Sequence, residues 1–207
     1  MREVMQYNID KMKQQLKRKL DSERYEHTIS VAYIAAALAM RHDCDIKKAE
    51  VAGLLHDCAK CIPDDTKLNK CLKYHISITD IERRNPYLLH NKLGAFLAMN
   101  KYHVDDKDII NAILYHTTAR PAMSILEKII YIADYIEPGR TKAERLDEIR
   151  HISFVDLDLA MYMILTDTLE YLKKKQREYD PMSEKAFTYY MALKQEKENL
   201  LKKENLT

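Results

Sequence analysis

Val51-Ala52-Gly53-Leu54-Leu55-His56-Asp57 is the stretch on which the reading of this chain turns. A run of small and apolar residues forms a core helix, and two strongly polar side chains close it at its edge. A neutral imidazole and an ionised carboxylate suit a divalent transition metal, and an adjacent pair can share one ion if other helices supply the rest. A His-Asp dipeptide by itself is common; its company makes it informative. Upstream, His27 follows Arg24 at the start of an apolar helix. Downstream come His90, His116 and Asp134, the last inside Ile129-Ile130-Tyr131-Ile132-Ala133-Asp134-Tyr135. An ionised Asp in an apolar helical face needs a partner, because burying an unpaired charge costs several kcal/mol or more. A metal ion satisfies all of these groups together.

The rest of the chain supports a helical setting. It has 207 residues, 46% of them hydrophobic, enough for a full-sized core and for one domain or one with a helical extension. Three glycines and five prolines leave few of the turn signals that hairpins need. Val and Thr are scarce while Ala, Leu, Lys, Glu and Met abound, so the fold class expected is all-α, a helical bundle. The formal charge is +2, from 34 basic and 32 acidic residues, which provides no chain-wide field for nucleic acid. The longest apolar run, Val31 to Met40, is shorter than the roughly 20 residues a bilayer demands. Cys44, Cys58, Cys61 and Cys71 occur with no secretory leader, so reduced thiols and a cytoplasmic location are expected. Cys58-Ala59-Lys60-Cys61 matches C-x-x-C, but it has neither the βαβ setting of a redox pair nor the second ligand pair of a zinc site. These are read as ordinary thiols.

Along the chain the signals describe helices with short joints. A charged amphipathic helix is expected over about 3–19. Asp21 or Ser22 caps the next, through His27 to about Met40. Asp45 caps a third helix that carries His56 and breaks near Pro63. A shorter helix covers about 64–73. Thr79-Asp80-Ile81-Glu82 has capping-box spacing; Pro86 limits that helix and His90 opens the following one. Asp105 or Asp106 caps a helix ending near Tyr115-His116. Ser124-x-x-Glu127 is a second capping box and starts the helix that carries Asp134 and stops at Pro138-Gly139. Two long helices over about 156–178 and 183–205 are joined at Asp180-Pro181. The charged run Lys194-Gln195-Glu196-Lys197-Glu198 reads as a solvated face or one packed on a partner, a homodimer among the options.

Four of the eight histidines need no function. His42, His75, His103 and His151 sit near helix ends or joints, where the macrodipole favours a positive side chain. His27, His56, His90 and His116 stand beside small or apolar residues at the ends of core helices. With Asp57 and Asp134 they scatter ligands over five helices, as a metal site in a bundle core requires.

The pattern H…HD…H…H…D on an all-helical chain resembles the HD-domain superfamily of metal-dependent phosphohydrolases. Longer strings are more specific: Arg24-Tyr25-Glu26-His27-Thr28, Leu54-Leu55-His56-Asp57-Cys58-Ala59-Lys60, Leu88-Leu89-His90, His116-Thr117-Thr118 and Ile132-Ala133-Asp134-Tyr135-Ile136-Glu137-Pro138-Gly139-Arg140. These resemble the YqeK-type bacterial symmetrical diadenosine tetraphosphate hydrolases, over about residues 15–180. The resemblance implies iron coordination by His27, His56, Asp57 and Asp134. It also implies phosphate contacts from Lys60, His90, His116, Thr117 and Arg140, and a nucleotide as the small-molecule substrate. Asn91 departs from the small residue expected after the third His, Ala119 replaces a common Gly after the Thr pair, and 141–145 is unusual. None of these removes a ligand.

Phosphoanhydride hydrolysis fits those residue types. A bound metal lowers the pKa of a coordinated water toward neutrality and polarises a phosphoryl oxygen. Two His and two Asp leave two positions of an octahedral ion open, and mixed N/O ligation without thiolate suits iron or manganese better than magnesium. Lys60, a helical turn beyond Asp57, and Arg140 are placed to neutralise phosphate charge; a solvated lysine and an Arg140–Glu137 salt bridge are the bland alternatives. His90 and His116 are either protonated phosphate donors, the reading favoured here, or ligands of a second metal bridged by Asp57. Asp57 or Asp134 accepts a proton in turnover, so Asp57, Lys60 and Asp134 form the expected catalytic set. Competing functions are another HD nucleotide phosphohydrolase, or a non-catalytic nucleotide-sensing scaffold that would have no need of stoichiometric metal.

Overall fold

The computed structural model describes residues 7–204, so positions 3–6 of the predicted first helix lie outside the described residues. Within them there are eleven α-helices and no strand. They are α1 (Ile9–Lys17), α2 (Ser22–Arg41), α3 (Ile46–Leu55), α4 (Asp64–Lys73), α5 (Asp80–Arg84), α6 (His90–Tyr102), α7 (Lys107–Tyr115), α8 (Ile125–Ile136), α9 (Leu146–Ser153), α10 (Leu157–Lys174) and α11 (Pro181–Glu204). A short 3-10 turn, Pro86–Leu89, leads into α6. The fold is an all-α helical bundle, as expected.

Local chemistry sets most of the helix starts. Asp21 accepts from the Arg24 N–H at 2.8 Å, Asp45 from that of Lys48 at 3.0 Å, and Asp106 from those of Asp108 and Ile109. Each supplies an acceptor to an N–H that has no partner within the helix. Both capping boxes form, Thr79 with Glu82 and Ser124 with Glu127.

The α2–α3 hairpin positions half of the site. Ala32 of α2 meets Gly53 of α3, and Ala35, Ala49 and Ala52 of the same two helices are likewise closed to solvent. A Cβ on Gly53 would lie 2.8 Å from the Ala32 Cα, so only glycine permits this approach. Because the two helices run antiparallel, the end of α3 meets the beginning of α2, and His56 is carried to His27. Helix α8 is apolar on most of its circumference and packs against α2, α3, α7 and α10, bringing Asp134 to the same place.

Three parts of the chain differ from the expectation. Helix α3 stops at Leu55 rather than near Pro63. Residues 56–62 wind through i→i−3 bonds, Cys58 N–H to Leu55 O, Lys60 N–H to Asp57 O and Ile62 N–H to Ala59 O, so Lys60 and Asp57 are neighbours across a tight turn and not along an α-helix. Helix α10 ends at Lys174, short of 178, and α11 begins at Pro181, whose ring is suited to a first helical turn. Helix α9 is the third difference: no helix was expected there. Its buried Leu146, Ile149 and Ser153 make a stripe too short to register as periodicity.

Helix α11 docks through its first half, where Ala186 and Tyr190 are buried and the Tyr190 hydroxyl accepts from the Met123 N–H at 3.2 Å. From Gln195 to Lys203 every side chain is exposed. No helix among the described residues is long and apolar enough to cross a membrane.

Candidate metal centre

Three histidines are set by one device. His56 Nδ1 lies 2.6 Å from the Gly53 carbonyl, His90 Nδ1 2.6 Å from that of Tyr87, and His116 Nδ1 2.7 Å from that of Ile113. Each takes the carbonyl three residues back, at the end of α3, in the 3-10 turn and at the end of α7, where carbonyls lack an i+4 partner. A carbonyl only accepts, so each Nδ1 carries a proton, and in the neutral ring each Nε2 presents a bare lone pair. All three rings are buried.

Those lone pairs converge on Asp57. Its Oδ2 is 3.5 Å from His56 Nε2 and 4.0 Å from His27 Nε2; its Oδ1 is 3.4 Å from His90 Nε2 and 3.5 Å from His116 Nε2. His27 Nε2 is also 3.3 Å from His56 Nε2 and 3.2 Å from Asp134 Oδ1. Asp57 Oδ1 is buried with no hydrogen-bond partner. Acceptors facing acceptors in a dry interior require positive charge between them. Two groups of ligand atoms lie within 4.8 Å of one another, His27–His56–Asp134 and His56–Asp57–His116. The donor set is imidazole and carboxylate, so these residues fit a divalent metal.

The titration shifts agree with this picture. Burial alone would raise the Asp57 carboxyl, but positive charge or a donated proton from the surrounding His56, His116 and His90, the place a cation would take, holds it well below the usual carboxylate range. Burial likewise opposes the Asp134 charge, while His27 and His56 pull its pKa down. Burial, reinforced by the nearby Lys60 ammonium, drives His90 well below the usual imidazole range and keeps it neutral. An ionised carboxylate at Asp57 and at Asp134 and a neutral imidazole at His90 are the protonation states that metal ligation uses.

A cationic rim flanks this floor. Lys60 Nζ is 3.2 Å from His90 Nε2 and 3.8 Å from Asp57 Oδ1. The Thr117 hydroxyl is 3.1 Å and 3.2 Å from the Nε2 atoms of His90 and His116. Arg140 donates to the Asp134 carbonyl at 3.0 Å and stands 3.7 Å from its carboxylate, so the Arg140–Glu137 salt bridge offered as the bland alternative is not its pairing. A cavity of about 920 Å³ opens beside these groups, lined by Lys60, His116, Thr117, Asp134 and Arg140 at one end and by Tyr171 and Lys175 of the α10 end at the other. Every site residue expected from sequence, His27, His56, Asp57, Lys60, His90, His116, Thr117, Asp134 and Arg140, belongs to this floor or this rim.

The model of the HD domain matches residues 24–139. The chain belongs to the HD-domain family. Among its relatives, the symmetrical bis(5'-nucleosyl)-tetraphosphatase of Bacillus subtilis (strain 168) is 39% identical over 166 residues, 80% of this chain and 88% of the relative. The protein of that name from Staphylococcus aureus (strain NCTC 8325 / PS 47) is 38% identical, over 81% of this chain and 87% of its own. A crystal structure described as a predicted HD superfamily hydrolase involved in NAD metabolism, from Clostridium acetobutylicum, is 40% identical with a TM-score of 0.85, covering 88% of this chain and 96% of that one. The resemblance read from the motif strings is therefore borne out.

Within this HD-domain fold, some residues around the centre escaped the sequence reading. Arg24 donates to Asp57 Oδ2 at 2.9 Å, one helical turn before His27. Arg150 of α9 donates to the carbonyls of Ile136, Glu137 and Arg140, tying down the chain after α8. A signal existed for Arg24, three residues before a ligand; nothing local marked Arg150. Ala119 has φ 56°, a left-handed conformation, which explains why glycine suits that position. The C-x-x-C match carries no site chemistry: burial pushes the Cys58 thiol up to about 12, and Cys61 donates to Asp21 at the surface.

Proposed function

We propose that this HD-domain chain is a metal-dependent phosphohydrolase that cuts diadenosine tetraphosphate at its central bridge, giving two ADP. The observation that carries this reading is a buried cluster of facing acceptors opening onto a cavity edged by Lys60, Thr117 and Arg140. Relatives that bear the symmetrical tetraphosphatase name, and nearly all of whose length this chain spans, narrow the substrate class. In this proposal His27, His56, Asp57 and Asp134 hold one ion, iron by choice and manganese by similar chemistry. With Nδ1–H bonded to carbonyls and burial keeping His90 neutral, His90 and His116, beside Asp57, would be suited to hold a second ion rather than to act as protonated phosphate donors. The metal supplies an acidified water and a polarised phosphoryl oxygen.

The chain's own residues do the rest. Lys60 and Arg140 neutralise charge on the phosphate chain, and the Thr117 hydroxyl donates to a phosphoryl oxygen. Asp134 lines the cavity while Asp57 is 2% exposed, so Asp134 is the carboxylate placed to take a proton from the attacking water. A nucleoside occupies the α10 end of the cavity, whose volume is in the range of small-molecule sites. Turnover in ¹⁸O-water with products resolved by chromatography and mass tests the proposal. Two ADP, one of them labelled, is the expected result; ATP plus AMP overturns the central cut.

A further inference from the structure

His27 is held differently from the other three histidines. It lies inside α2, where the carbonyls behind it are engaged in the helix ladder, so the main-chain device that locks His56, His90 and His116 is closed to it. Its Nδ1 instead lies 3.4 Å from Glu137 Oε1, while its Nε2 faces Asp134 and His56. Glu137 is the C-cap of α8 and is buried. Its other oxygen, Oε2, accepts from the Gly139 N–H at 2.7 Å. Arg140 bonds Asp134 instead, and Arg150 donates only to main-chain carbonyls, that of Glu137 among them, so neither arginine neutralises this carboxylate. A Cβ on Gly139 would stand 3.0 Å and 3.1 Å from the two carboxylate oxygens. The glycine therefore lets the carboxylate fold back under the turn and face His27.

We infer that Glu137, seated on Gly139, is the positioning residue that keeps His27 in its ligating form. A carboxylate accepts at both oxygens: Oε2 takes the Gly139 N–H, and Oε1, 3.4 Å from His27 Nδ1, is in position to hold a proton there. With the proton held on Nδ1, Nε2 points its lone pair at the centre, as a carboxylate behind a ligating histidine generally arranges. Glutamine cannot replace it: its one oxygen can stand in for only one of the two carboxylate oxygens, and its NH₂ then faces the other donor or forces the His27 proton onto Nε2. The same carboxylate links a ligand of the floor to the turn that carries Arg140.

This rests on His27 being a metal ligand, and the test separates the two claims. Mn²⁺ is titrated into metal-free protein and free Mn²⁺ is read by electron paramagnetic resonance, for wild type, His27→Ala, Glu137→Gln and Gly139→Ala, with thermal melting of each metal-free protein alongside. The expected result is tenfold to hundredfold weaker binding at the His27 site in Glu137→Gln, with metal-free melting close to wild type. Gly139→Ala keeps every charge but pushes the carboxylate away, and should weaken binding in the same direction even if Glu137→Gln fails to fold. Wild-type affinity in His27→Ala would overturn the ligand reading itself. Weakened binding in His27→Ala beside wild-type affinity in Gly139→Ala, or in a folded Glu137→Gln, would overturn the positioning role alone.

Discussion

His56, His90 and His116 are held by main-chain carbonyls and shut off from solvent, whereas Lys60 and Arg140 reach the same centre on long side chains a third or more exposed. The floor has its orientations set before anything binds, because helix ends that need a donor and imidazoles that need a fixed proton satisfy each other. The rim must order flexible side chains when a phosphate arrives, at a cost of about 1–2 kcal/mol each. In exchange it can follow a substrate whose shape changes during reaction. A preorganised floor suits an ion with fixed ligand geometry; an adaptable rim suits a chain of phosphates.

Substitutions in the two regions should therefore fail in different ways. Asp57→Ala is expected to have the largest effect, since Asp57 is the carboxylate on which all four imidazoles converge: metal and turnover both vanish. Elemental analysis beside wild type checks it, and equal metal in the two proteins would break the floor as drawn. Lys60→Ala and Arg140→Ala should keep their metal and lose turnover by a factor of roughly 10²–10³, about 2.7–4 kcal/mol by analogy with a deleted oxyanion-hole donor. Metal lost from either would erase the division between floor and rim, and turnover near wild type would return both to ordinary surface residues. The smallest effect belongs to Arg150→Met, which removes three hydrogen bonds from the chain after α8. We expect KM to rise about tenfold, roughly 1–2 kcal/mol, with kcat and metal content nearly unchanged. A fall in kcat with KM constant would show that Arg150 acts on the floor instead.

The helix caps show where local reading works. Asp21, Asp45, Asp106 and the two capping boxes act on N–H groups two or three residues away, so their effect is written in adjacent positions. Reading fails where the interaction is distant in sequence or brief in period. Helix α9 buries three positions and earns its place by supplying Arg150 to carbonyls 10 to 14 residues earlier. The end of α3 was misplaced because Pro63 is a loud signal, while the actual stop is where His56 takes the Gly53 carbonyl and the chain tightens into i→i−3 turns.

The chemistry of the centre was legible in the same way. Residue types in order, H…HD…H…H…D on apolar helices, sufficed to pick out the residues that the fold gathers at one centre and, through the longer strings, the family, because a buried charge implies a partner wherever it lies. Three things depended on the packed chain. The proton on each of three histidines is decided by which carbonyl its Nδ1 meets. The partner of Arg140 is Asp134 and not Glu137, because Glu137 is folded back onto Gly139 and His27. Asp57 presents one oxygen to His27 and His56 and the other to His90 and His116, because α3 ends between α2 on one side and α6 and α7 on the other. Sequence alone determines which atoms are available and how costly they are to bury; only the tertiary fold decides which lone pairs face one another, since that depends on distances between helices that no local signal encodes.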